Sequence, residues 1–182
     1  STALATAWLA TVRDLPLRRP VGGALGLVGA ARLLIDPVLF GLDVGRLPIL
    51  NWLLVIYGIP AASFIGASHL LRQSRTEPDL AVHVSEGLAL LLTALLAFFE
   101  IRHLTNGGNV LSPSSGHVEQ GLLAMTSLGL SQIAARLHRQ LRGAVLEATT
   151  YAFSGLALAF AVLGLGIGQN PYFSGEPVAG PI

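Results

Sequence analysis

Leu88-Ala89-Leu90-Leu91-Leu92-Thr93-Ala94-Leu95-Leu96-Ala97-Phe98-Phe99 is an uninterrupted uncharged core inside a longer apolar run from Leu80 to Ile101. A helix needs roughly 20 predominantly apolar residues to cross a hydrocarbon core, and this run supplies them. Working outward, four more runs of the same kind emerge. Val21–Ile35 is short and glycine-rich, and reaches spanning length when extended back to Leu17 and on to Phe40. Ile49–Leu71 carries Pro60 among the small residues Gly58, Ala61, Ala62, Ser63, Gly66 and Ala67. Proline in mid-span removes a backbone hydrogen bond and kinks a helix, whereas small residues let helices approach closely. Val118–Leu137 is more polar, holding Thr126, Ser127, Ser131 and Gln132, which suits a helix facing protein. Val145–Gly168 is long and apolar and ends in Gly164, Gly166 and Gly168.

The arginines give these runs an orientation. All eleven basic residues are arginine, and eight fall in three alternating segments. These are Arg13, Arg18 and Arg19; Arg72 and Arg75; and Arg136, Arg139 and Arg142. Short arginine-rich loops stay on the cytoplasmic side of a membrane. The predicted fold class is therefore all-α, a polytopic transmembrane helix bundle of about five spans. Residues 1–182 form a single bundle with spans near 19–36, 49–71, 80–102, 118–137 and 145–168. The N-terminus is placed in the cytoplasm of a bacterial inner membrane and the C-terminal end in the periplasm.

Composition agrees. Hydrophobic residues make up 52% and charged residues 12%, with mean hydropathy +0.65, against about one-quarter charged in an average soluble domain. Net charge is +1 and no basic block interleaves with aromatics, so no nucleic acid is expected as partner. The absence of cysteine excludes disulfides and thiolate chemistry. No basic region followed by an apolar stretch and a cleavage site marks a signal peptide.

The chain also echoes itself. Asp36-Pro37-Val38-Leu39-Phe40-Gly41 through Pro48-Ile49 is matched by Asn170-Pro171-Tyr172-Phe173-Ser174-Gly175 through Pro181-Ile182. A repeat unit over 36–169 follows, with the next unit starting near 170 and repeats parallel in the membrane. With the start at Ser1 in place of Met, this predicts a segment of a larger, repeat-built membrane protein.

At this point the residues resemble a family. Asn51-Trp52-Leu53-Leu54-Val55-Ile56-Tyr57-Gly58-Ile59-Pro60-Ala61 resembles the Asn-x-Leu-Leu-x-x-Tyr-x-x-Pro-Ala element of the bacterial DUF2339 multi-pass membrane proteins. Glu100-Ile101-Arg102-His103 is similar to that family's Glu-Ile-Arg-His element, and His117-Val118-Glu119 followed by Ser127 is similar to its next helix. The tail Asn170–Val178 also matches. Met125 and Leu128 stand where the family more usually has an aromatic residue. The resemblance implies fold and location and brings no activity.

The predicted topology gathers ionisable residues at the outer ends of the spans. Arg32, Asp36, Asp43 and Arg46 lie near spans one and two, and Glu100, Arg102, His103, His117 and Glu119 lie on spans three and four. Charges at a membrane edge are costly unless paired or wet. Glu100 and His103 are three apart and can face each other, leaving Arg102 for Glu119 or Asp36. One reading is a ligand-binding site for a polar or anionic molecule, made of Arg32, Asp36, Glu100, Arg102, His103, His117 and Glu119. The other is helix-end ion pairing that sets bundle packing. His103, His117 and Glu119 have the ligand types for a metal, but without a compact His-x-x-x-His pair no metal and no cofactor is expected. Ser112, Ser114 and Ser115 near His117 lack a nucleophile elbow. At the inner ends, His69 and Glu86 could relay protons, or Glu86 could pair with Arg72 or Arg75.

The favoured expectation is a non-enzymatic envelope component that binds or passes a polar ligand at its outer face, in transport, export or sensing. The alternative is a structural scaffold docking a periplasmic or membrane partner. The third is a membrane-embedded lipid- or glycan-modifying enzyme. The partners implied are the lipid bilayer and other transmembrane helices of the parent chain.

Overall fold

A computed structural model describes Val44, Gly45 and residues 47–73, 80–113 and 115–175. The first predicted span, residues 36–43 and 46 of the first copy of the repeat motif, and the candidate residues Arg32, Asp36, Asp43, Arg46, Arg75 and Ser114 lie outside the described residues. What is described is helical, with no strand. Four long helices follow one another: α1 (Leu54–Gln73), α2 (Leu80–Thr105), α3 (His117–Leu141) and α4 (Ala144–Gly168). A short helix, α5 (Pro171–Ser174), closes the described chain.

Three of these helices, α1, α2 and α4, are long and apolar enough to cross a membrane. The predicted bundle is therefore present in its coarser form, as an all-helical unit with three such helices. α3 is as long as the others but carries more polar residues.

Local chemistry explains the boundaries. The Asn51 side-chain oxygen accepts the backbone N–H groups of Leu53 at 2.8 Å and Leu54 at 3.4 Å, capping the start of α1. The first turn of α1, Leu54–Gly58, is π-helical, and the Ile59 N–H reaches back to the Leu54 carbonyl. Pro60 follows directly, so the irregularity expected at the proline takes the form of a widened turn just ahead of it. α3 ends at Arg142, which adopts a left-handed conformation (φ 47°) and donates its N–H to the His138 carbonyl. The C-terminal part of α4, Phe160–Gly168, is again π-helical. Asn170 caps α5, with Pro171 in its first turn.

α1 packs chiefly on α2 and α3 chiefly on α4, and α2 touches both α3 and α4. The core between α1 and α2 is built from Leu53, Tyr57, Ala61 and Phe64 against Leu88, Ala89 and Leu92, closed above by Val44 and Val110. Tyr57 and Phe99 stack with ring centroids 5.3 Å apart. At Gly58 a Cβ would crowd Leu54 Cδ1 of the same helix at 2.8 Å and would meet Leu96 Cδ2 of α2 at 3.4 Å.

α3 is built inside out. Its buried side chains are Glu119, Leu123, Ser127, Ser131 and Ala134. Its exposed face carries Val118, Leu122, Met125, Leu128 and Ile133. A helix in water would bury Met125 and expose Ser127. The polar residues expected to turn α3 toward protein do so at Ser127 and Ser131, while Gln132 lies on the exposed side.

Candidate functional site: the polar cluster at one end of the bundle

The C-terminal end of α2, the N-terminal end of α3 and the loops beside them bring a dense group of polar side chains together. Arg102 stands at the centre. Its Nε donates to the Val110 carbonyl at 2.8 Å, its Nη2 donates to the Ser112 carbonyl, and its Nη1 lies 3.0 Å from Glu119 Oε1. Each guanidinium nitrogen thus has an oxygen partner. The two carbonyls belong to the α2–α3 connection, which folds back over the arginine through turns at Gly107 (φ 59°) and Gly108 (φ 98°). Only glycine takes such angles without strain.

Glu119 is 1% exposed. Its Oε1 faces Arg102 in a charge contact, and its Oε2 accepts from Asn106 Nδ2 at 2.7 Å and Thr105 Oγ1 at 3.2 Å. A buried carboxylate is tolerated when a cation and hydrogen-bond donors replace its water, as here. The pairing of Arg102 with Glu119 expected from the sequence is present.

Glu100 and His103 do not face each other as a bonded pair. Glu100 turns to the loop before α1: its Oε1 accepts from Asn51 Nδ2 at 2.7 Å and its Oε2 accepts the Ile49 N–H at 3.2 Å. Ile49 needs that hold. It has φ 68°, and the Leu50 N–H closes on the Pro48 carbonyl at 2.7 Å, making a γ-turn of the rare, strained kind around a β-branched residue. His103 is 3% exposed, and its Nε2 hydrogen-bonds the Gly45 carbonyl at 2.7 Å while Nδ1 is buried without a partner. Loop geometry therefore overrides the three-residue spacing and sends both side chains toward the segment that leads into α1.

His117 is exposed at the start of α3, apart from buried His103. No group of three His, Cys, Asp or Glu side chains among the described residues is arranged to hold a metal. Beside Asn51 lies an open apolar groove of about 420 Å³ lined by Val44, Gly45, Leu47, Leu50, Trp52, Leu54 and Val55.

The opposite end holds a second ion pair. Arg72 Nε donates to Glu86 Oε1 at 2.5 Å, joining α1 to α2. His69 bonds Gln73 at 2.9 Å on the exposed side of α1. Glu86 is thus committed to Arg72 and is not bonded to His69, so the two residues proposed for a relay are held by other partners.

Sequence reasoning passed over Asn51, Thr105 and Asn106 as site residues. Asn106 reads as a turn former ahead of Gly107-Gly108, and nothing in its spacing shows that its amide reaches Glu119. Asn51 carried a signal, since it heads the motif that ends in Pro60-Ala61.

No family model, curated protein or solved structure matches this chain.

Proposed function

We propose that this chain is a non-catalytic scaffold unit of a multi-pass membrane protein, in which the outer polar cluster locks helix ends together and presents them to a partner. One observation carries this reading: every guanidinium nitrogen of Arg102 is engaged by the protein itself, and its carboxylate partner Glu119 is 1% exposed. An arginine whose charge is already met by a buried carboxylate and whose planar group is pinned by two loop carbonyls is built to hold helix ends together. The exposed apolar face of α3 supports counting it as a further span beside α1, α2 and α4, which makes four spans here and five with residues 19–36. The alternating arginines support a cytoplasmic N-terminus in a bacterial inner membrane and an outward-facing 106–116 connection. The motif order supports the DUF2339 resemblance, the 36–169 repeat and a larger parent protein whose other helices, or a periplasmic protein, are the partners.

A second reading has its own observation. The unpartnered His103 Nδ1 and the open groove at Asn51 favour binding of a polar ligand at the same end.

Stability and phenotype measured together separate the two. For a scaffold, Arg102→Ala and Glu119→Ala lose cellular function only as far as they lose folded protein in the membrane. Lost function at wild-type folded levels would move the cluster to ligand binding. Topology is checked by labelling from the periplasmic side, which should reach Asn109→Cys and miss Gln140→Cys.

A further inference from the structure

Five arginines are described, and they divide sharply. Arg72 and Arg102 are paired with carboxylates. Arg136, Arg139 and Arg142, at the end of α3, are exposed, and their side chains have no ion pair or hydrogen bond among the described residues. The described acids at that end are Glu86, taken by Arg72, and Glu147, exposed in the first turn of α4. Three arginines therefore fall within seven residues at the end of α3 with little local compensation.

The surface leading to them is apolar. Leu122, Met125, Leu128 and Ile133 lie on the exposed side of α3, and Arg136 and Arg139 lie on the same side towards its end. Gln132, one turn before Arg136, is the exposed polar residue that intervenes. Gly121 and Gly129 leave gaps in this face, since a Cβ at either position would meet nothing within 4 Å. An indented apolar strip ending in unpaired guanidinium groups has the chemistry of one class of molecule: an acyl chain ending in a phosphate.

We propose that the exposed face of α3 is a docking site for a phosphate-bearing anionic lipid. The acyl chain lies along Met125, Gly129 and Ile133, and the phosphate meets Arg136 and Arg139, with Arg142 at the rim. Planar guanidinium groups match phosphate oxygens two at a time. This rests on the reading of α3 as a membrane span.

The test uses the full chain in bilayers that mix phosphatidylcholine with phosphatidylglycerol. Spin-labelled versions of each lipid report the fraction held at the protein surface. Phosphatidylglycerol should be preferred by about fivefold or more, the factor one arginine near an anionic surface supplies. Arg136→Gln/Arg139→Gln/Arg142→Gln should remove the preference, and the corresponding Lys variant should keep most of it. If the triple Gln variant fails to fold, Arg136→Gln and Arg139→Gln singly carry the test, each reducing the preference. Equal retention of the two lipids, or a preference that survives the Gln substitutions, overturns the site. Displacement of the labelled lipid by millimolar inorganic phosphate overturns the lipid assignment in favour of a free anion. Met125→Cys in the same bilayers keeps the two readings apart. Reaction with a water-soluble maleimide sinks the span itself, whereas a shielded cysteine with no lipid preference sinks only the docking site.

Discussion

The two ion pairs at opposite ends of α2 solve one problem in different ways. Arg102–Glu119 is the more enclosed: two loop carbonyls hold the guanidinium and an amide and a hydroxyl hold Glu119 Oε2, while Glu119 Oε1 meets only the guanidinium in a charge contact. Arg72–Glu86 is bare. Its Nε–Oε1 bond is short at 2.5 Å and Arg72 Nη2 lies as close to the same oxygen, but neither Nη2 nor Glu86 Oε2, both buried, has a further hydrogen-bond partner. The difference follows from what lies beside each pair. A looping connection offers free carbonyls to the first, whereas the second meets the backbone of Gly143, where a Cβ would fall 3.1 Å from Arg72 Nη2 and 3.6 Å from Glu86 Oε2. Depth sharpens the contrast. Sixteen residues separate Glu86 from Arg102, about 24 Å of helix, against a hydrocarbon core of about 30 Å. On the membrane reading, at least one pair lies within that core unless its side chains snorkel outward or the bilayer thins around α2. Charged pairs at such depth persist only when sheltered from lipid by neighbouring helices.

The largest effect should come from breaking the enclosed pair. Glu119→Ala leaves the guanidinium without its counter-charge, while Thr105 and Asn106 keep their backbone acceptors Ile101 and Arg102, and removing one member of a buried pair costs about 3–5 kcal/mol. Thermal unfolding in detergent should show this as the greatest loss among single substitutions in the cluster. Arg102→Ala should cost nearly as much and also free the 106–113 connection, visible as faster amide exchange at Val110 and Ser112. The double variant should lose less than the two single losses combined, because no orphaned charge remains. Strict additivity would show that the 3.0 Å contact carries no coupling.

The bare pair should matter less. The two arginines are comparably exposed, 21% for Arg72 and 27% for Arg102, but Glu86 accepts only from Arg72 whereas Glu119 also accepts from Asn106 and Thr105, so Glu86→Ala breaks fewer contacts. A loss of about 1.5–3 kcal/mol is expected, the range for a hydrogen bond to a charged group. A loss exceeding that of Glu119→Ala would reverse the ranking of the two ends. Gly143→Ala probes the same junction from the backbone side. Gly143 has φ −88°, which alanine adopts freely, so any cost comes from the added methyl against Arg72. The expectation is a cost of under about 1 kcal/mol, the lower range for crowding by an extra methyl. That cost should vanish in an Arg72→Ala background. Persistence there would place the clash elsewhere, at Leu146 Cδ1, 3.5 Å from the same Cβ.

How much of this was legible in the chain differs between the ends for the same physical reason. Charge pairs between adjacent helices can be read from span ends, which is how Arg102 with Glu119 and Glu86 with Arg72 came into view. Partners supplied by backbone carbonyls, such as those of Val110, Ser112 and Gly45, have no side-chain signature and depend on the path of a loop. The expected Glu100–His103 contact failed on this point, since each found a better partner in the loop before α1. Helix positions were legible because apolar length reports them directly. The one-sidedness of α3 was only half legible: its serines showed that something polar was buried, and burial was needed to show that Met125 and Leu128 face outward.

The smallest effect should come from the polar contact far from either end. Ser131 is 1% exposed, and its hydroxyl donates to the Thr150 carbonyl at 3.1 Å and lies 2.7 Å from the Ser154 hydroxyl, linking α3 to α4. Hydrogen bonds between membrane helices average about 0.6 kcal/mol, because the separated helices satisfy the same groups internally. Thr150 illustrates this, since its own hydroxyl already bonds the Leu146 carbonyl one turn back, at 2.9 Å. Ser131→Ala removes the hydroxyl and almost no volume, so a thermal-unfolding loss near that average is expected. Ser131→Val should cost more, about 1–3 kcal/mol, because the added methyl groups must enter a close helix contact. An alanine variant as damaged as Glu119→Ala would show that the hydroxyl network, and not the charged cluster, holds α3 in place.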